Sequence, residues 1–253
     1  MQNIMKNKDL RAALLFAFIG LIAGYFTGLY QASIATEQLK QQIISQMGSM
    51  QSMMLIAAAQ GAGYAFLSAF IGLKLARRVN LKLNFKFDKN SLLLAILIGL
   101  VVAFVITGAD RFIFAEYLPS QVTQYIFSPI YLMVGILYGG IVEELMLRLL
   151  VMSLLVLLFW KLFARSKDRN AIPAWIYISA IIIASMLFAA GHLPITAQTL
   201  GLSAPILIRC FVLNGIGGIG FGWLYWKKGL AYSMYSHAAT HVFMQVLFMP
   251  LFF

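Results

Sequence analysis

Polar material is scarce in this sequence, and each scarcity excludes something. Charged residues make up 11% of the 253 positions and only eight are acidic, too few to cover the surface of a soluble domain. The polar gaps between apolar runs are all short. A single cysteine, Cys210, rules out an intrachain disulfide and leaves the redox compartment undefined. Histidine occurs three times, as His192, His237 and His241, all in the last quarter of the chain. No H-E-x-x-H segment is present, so the strongest local signal of a zinc peptidase is missing. Neither a repeat nor a low-complexity stretch is evident.

What is there is apolar. Hydrophobic residues make up 62% of the chain and the mean hydropathy is +0.87, values that belong to an integral membrane protein. Apolar runs at about 12–30, 53–75, 91–107, 129–163, 173–192, 204–226 and 230–252 predict spans. Ser33-Ile34-Ala35 resembles a signal cleavage site, but the preceding run is long for a signal peptide and reads as an uncleaved span. Residues 31–52 read as a polar, amphipathic outer segment. The expected fold is all-α, a polytopic transmembrane bundle of about seven or eight spans around an intramembrane cavity, in one membrane domain, 1–253.

The net charge of +11 does not call for nucleic acid, because its distribution is that of a membrane protein. Fifteen of nineteen Lys and Arg residues fall in four clusters between spans: Lys6 to Arg11, Lys74 to Lys89, Lys161 to Arg169, and Lys227 with Lys228. This is the positive-inside pattern, which places those clusters and the amino terminus in the cytoplasm, facing anionic membrane lipids. The compact chain points to a prokaryotic plasma membrane.

Inside the fourth run lies Gly139-Gly140-Ile141-Val142-Glu143-Glu144-Leu145-Met146-Leu147-Arg148. Each of its three charges costs about 2.5–3.5 kcal/mol at the centre of a membrane helix, so a functional site is the default reading. Glu144 and Arg148 are i, i+4 and can neutralise each other on one helical face. Glu143 points about 100° away on an α-helix and is left as the free carboxylate, a candidate general base. His237 and His241 share a face by the same spacing, and Phe188 can wall His192.

Two chemistries fit. Glu143 and His192 can polarise a water that attacks a peptide carbonyl, with His237 and His241 stabilising the oxyanion. Alternatively, Glu143, His192, His237 and His241 can bind zinc, although no metal is required. Counting helical rise exposes a mismatch in depth. Glu143 lies about 27 Å from Lys161 and His192 about 30 Å from Ala171, yet His237 lies only about 12 Å past Gly229. The fourth and fifth helices protruding into the cytoplasm would resolve it, as would a seventh helix that starts deeper; the fourth run is over-long, which favours protrusion, and a kink at Gly139-Gly140 is the other reading of its length.

In this order, Glu143-Glu144-x-x-x-Arg148, Phe188-x-x-x-His192 and His237-x-x-x-His241 resemble the motifs of the CPBP (Abi) family. That family comprises CAAX prenyl endopeptidases and intramembrane proteases of bacteriocin processing and immunity. The resemblance covers about 129–249. It implies an all-helical intramembrane fold and a glutamate-dependent endopeptidase; the expected substrate is a membrane-anchored or lipid-modified peptide or protein, and the helix count sets its cleavage near the cytoplasmic face. By motif position Glu143 is the water-activating carboxylate, Glu144 and Arg148 support it, His192 is the second activator, and His237 contacts oxyanion or substrate. The last motif usually ends in Asn or Asp, where this chain has His241; a neutral imidazole can still donate a hydrogen bond. Two other classes compete: a non-catalytic immunity or binding protein using the same cavity, and a transporter with a proton-relay glutamate, for which no paired broken helices are visible. Asn214 is a candidate cavity or helix-to-helix contact, and Arg209 either a structural partner of a glutamate or carbonyl or a carboxylate-binding residue.

Overall fold

The computed structural model describes the backbone of residues 2–119, 125–165 and 168–253 and the side chains from residue 8 onward; Lys167 and the Lys6 side chain, both counted in the basic clusters, lie outside the described residues. Every regular element among the described residues is helical. In chain order these are α1 (Gln2–Ile34), α2 (Glu37–Met47), α3 (Met50–Arg78) and α4 (Lys89–Phe112). The long α5 (Pro129–Phe163) follows, then α6 (Ala174–Gly191), α7 (Leu193–Thr199), α8 (Ala204–Lys227) and α9 (Leu230–Phe243). After α9 the chain stays helical through Met244–Phe248 and Met249–Phe252.

Six helices, rather than the seven expected, are long and apolar enough to cross a membrane among the described residues. The segment expected as the seventh, 230–252, is helical, but Ser233, Ser236, His237, His241 and Gln245 dilute its hydropathy. The polar segment before α3 is a short helix, α2, whose residues are all unburied. Its start is capped by Thr36, whose hydroxyl oxygen accepts from the Leu39 amide. Pro194 sits in the first turn of α7, where a missing N–H is harmless.

α1 and α3 lie against each other with small residues at the seam. A Cβ on Gly24 would run into the Ala57 carbonyl oxygen, and one on Gly61 into the Gly20 carbonyl. The two backbones approach closely because those side chains are absent, the packing that membrane helices use where apolar burial gives no advantage over lipid.

The four basic clusters come together at one end of the bundle. Arg77 makes a bidentate pair with Asp9, joining the ends of α3 and α1. The Tyr177 hydroxyl donates to the Val79 carbonyl at 2.8 Å, and the Asn80 amide donates to the Arg169 carbonyl at 2.8 Å. The Asn84 amide donates to the Lys228 carbonyl at 2.7 Å. At the opposite end Arg209 forks onto Asp110 with both contacts at 2.5 Å; its partner is this aspartate, neither a glutamate nor a carbonyl.

The linker 79–88 sets the depth of the last helix. It lies across the start of α9, whose first two amides donate to the carbonyls of Lys82 and Leu83, both at 2.9 Å. Tyr232 adds a bond from its hydroxyl to the Lys86 carbonyl at 2.7 Å. Leu230, Ala231 and Tyr232 are buried as a result. The start of α9 is therefore covered by the linker.

α5 is helical without a break at Gly139-Gly140. It widens instead: Gly135–Glu143 and Leu145–Met152 take i→i+5 hydrogen bonding, with Glu144 between them. Such π-helical turns are rare and concentrate at functional sites.

The close seam predicts that G24L or G61L lowers the stability of the detergent-purified protein by about 1–3 kcal/mol, because rigid backbone stands where the new atoms would go. Gly63 has open space around it. Thermal melts should show G63A unchanged beside them.

Candidate active site

The site is built on a carboxylate with no exposure at all. Glu144 is 0% exposed and Arg148, one turn on, 1%; their Oε2 and Nε atoms lie 3.4 Å apart. An ion pair this deep in apolar surroundings calls for more partners; Glu144 has two, whereas among the described residues Arg148 Nε and Nη1 have no hydrogen-bond partner. Ser233 of α9 donates its hydroxyl to Glu144 Oε2, and His237 of the same helix places Nδ1 2.8 Å from Oε1. Arg148 donates to the Gly218 carbonyl of α8 at 3.3 Å. Its guanidinium lies 4.8 Å from the centre of the Phe188 ring of α6 and 5.6 Å from that of Phe221 of α8. One ion pair on α5 thus engages α6, α8 and α9.

His237 is the centre of the cluster. With Nδ1 donating to Glu144, the other nitrogen, Nε2, is aimed at Glu143, 3.8 Å from its Oε2. That is too long for a direct hydrogen bond and suits one bridging water. The imidazole is held flat between Phe221, at 4.5 Å, and His241, at 5.3 Å, with the Phe188 ring edge-on at 5.7 Å. The Glu143 side chain is 20% exposed, and among the described residues it has no shorter partner.

His192 sits where α6 turns into α7, with φ −85° and ψ −9°, the bridge region in which many active-site residues are found. Its Nδ1 faces the Phe188 carbonyl at 2.9 Å, and its ring meets the Phe188 edge at 4.7 Å. Among the described residues, the histidine within ion-pair range of Glu143 is His237 rather than His192. Phe188 touches both imidazoles and is the shared wall between them.

His241 is half-buried and packs against α5. A Cβ on Gly135 would overlap its ring; one on Gly139 would stand 2.9 Å from His241 Nε2 and 3.3 Å from His237 Nε2. These two glycines, spaced i, i+4, make the slot that receives two histidines spaced i, i+4. Neither Gly135 nor Ser233 is among the candidates read from the sequence, and Gly139 enters there only as a possible kink. The signal is present in the continuous pattern Ser233-x-x-x-His237-x-x-x-His241 and in Gly135-x-x-x-Gly139.

The remaining candidates stand apart. Asn214 turns its amide back to the Cys210 carbonyl of its own helix at 2.8 Å, so the expected helix-to-helix bond is not made. The Cys210 thiol donates to the Ala189 carbonyl at 3.4 Å, tying α8 to α6. No three His, Cys, Asp or Glu side chains among the described residues gather closely enough to hold a metal ion, so the four-ligand zinc set is not assembled. Two cavities, of about 230 and 520 Å³, lie at the basic end, and neither is lined by Glu143 or a histidine.

Residues 125–243 match the family model of the type II CAAX prenyl endopeptidases, Rce1-like. No curated protein and no solved structure matches the chain. The matched segment contains all three motifs, from Glu143-Glu144 to His241, and bears out the resemblance read from them. It points to a peptidase embedded in the membrane.

Burial separates the two glutamates experimentally. Replacing Arg148 by Met strands a buried carboxylate and should destabilise the protein by about 3–5 kcal/mol in detergent unfolding. E143Q removes no close partner and should stay within about 0.5 kcal/mol of the parent. Equal losses in both would contradict this division.

Proposed function

We propose that this chain, carrying the Rce1-like segment, is a glutamate-dependent intramembrane endopeptidase that cleaves a membrane-anchored peptide or protein. The carrying observation is Glu143 facing the free nitrogen of His237 at 3.8 Å, while the buried Glu144 holds the other. Glu143 is the general base. It takes a proton from a water as the water oxygen attacks the scissile carbonyl, and later passes that proton to the leaving nitrogen. His192, with Nδ1 committed to the Phe188 carbonyl, offers Nε2 as the second acceptor for that water.

His237 answers the charge that develops on the carbonyl oxygen. In the form with a proton on both nitrogens it donates Nδ1–H to Glu144 and Nε2–H to the oxyanion. His241 stacks behind it and holds the ring in place, with the slot at Gly135 and Gly139 preventing retreat. No step calls for a metal.

The site operates in the half of the bundle nearer the basic end. His237 is seven residues into α9, about 10 Å below the covering linker at 1.5 Å per residue. By the positive-inside rule that end is cytoplasmic, so the substrate's cleaved bond lies near the cytoplasmic face.

Cleavage of a lipid-anchored reporter peptide by the full chain in liposomes tests this. E143Q and H192Q should each slow it by about 10²–10⁴-fold, and H237Q by about 10²–10³-fold. Chelators should leave the rate unchanged. Full activity in E143Q would overturn the assignment, and an in vivo phenotype that survives E143Q would identify a binding protein instead.

A further inference from the structure

The smaller cavity at the basic end has no part in the peptidase chemistry. It holds about 230 Å³ and is framed by Asn80, Lys82 and Asn84 of the linker and by Trp226, Lys227 and Lys228 at the α8–α9 turn. Tyr225 and Gly229 complete the lining, and three of these eight residues are cations. Asp88 caps α4, accepting at 3.1 Å from the Ser91 amide, and its carboxylate is close enough to Lys228 to feel that charge, so it offsets part of one cation. Lys227 lies over the Trp226 ring with its Nζ 3.5 Å from the ring centre, at the level where aromatic and basic side chains meet a membrane surface.

The linker is shaped to rest on that surface. Within it Phe85 is 57% and Phe87 81% exposed, beside Lys82, Lys86 and Lys89. Exposed rings alternating with lysines are what an interfacial segment presents to anionic lipid. The linker's backbone is also built in: Asn80 and Asn84 take positive φ, 57° and 47°, and both amides bond outward to neighbouring loops.

We propose that this cavity binds the phosphate group of an anionic phospholipid, and that the bound headgroup clamps the linker onto the start of α9. The clamp acts through the linker's backbone: Lys82 and Leu83 carbonyls hold the first amides of α9, and Ser233 and His237 come next on that helix, in contact with Glu144. Lipid binding itself is independent of the peptidase reading; its effect on cleavage rests on that reading.

Native mass spectrometry of the detergent-purified full chain tests the binding. Phosphatidylglycerol should be retained at concentrations at least tenfold lower than phosphatidylcholine. The triple variant K82Q/K227Q/K228Q should lose that preference, while R78Q/K161Q/R169Q, at the second cavity, should keep it. Equal retention of the two lipids, or a preference that survives K82Q/K227Q/K228Q, would overturn the site. Displacement of the lipid by millimolar inorganic phosphate would show a soluble-phosphate site and overturn the lipid assignment. In vesicles, cleavage should rise severalfold with phosphatidylglycerol for the parent chain but not for K82Q/K227Q/K228Q. Selective binding without that rise would remove the clamp and leave the lipid site standing.

Discussion

A carboxylate wholly removed from solvent inside an apolar bundle has to be answered from every side, and that requirement organises this protein. Glu144 meets Arg148 along its own helix, Ser233 and His237 from α9, and through Arg148 the rings of α6 and α8. Withdrawing any of these partners leaves a charge or a lone pair unmatched in a buried site. The helices that carry the chemistry are therefore held in register by electrostatics, in a setting where lipid competes for every apolar contact.

The adjacent Glu143 gains its freedom from the same arrangement. Because Glu144 pairs with Arg148 and takes one nitrogen of His237, Glu143 is left facing the other nitrogen, across a gap suited to water. The π-helical turns of α5 and the glycines at 135 and 139 contribute the space: the widened helix has no side chain where the histidines press against it.

Much of this was legible in the residues. Apolar runs located the spans, because burying 20 or so residues in a bilayer leaves a mark on composition that tertiary packing cannot disguise. Alternating basic clusters marked one end, and the structure ties all four together there. The division between Glu143 and Glu144 followed from i, i+4 spacing alone. Less was legible where the helix departs from 3.6 residues per turn, since counting at 100° per residue cannot foresee i→i+5 turns. The seventh span is a related case: its site residues are polar, and polarity erodes the signal by which spans are found.

Composition, periodicity and three spaced motifs determined that the chain is a helical membrane protein with intramembrane charge, and which side chains carry it. Those properties are local, written in the length of apolar runs and the spacing of charges along a single helix. Only the tertiary structure decided that His237, rather than His192, stands before Glu143, that Ser233 and Gly135 belong to the site, and that a basic linker covers the start of α9. Each depends on how separate helices are rotated and set in depth against one another, and those two quantities are fixed by contacts between residues some 70 to 150 positions apart.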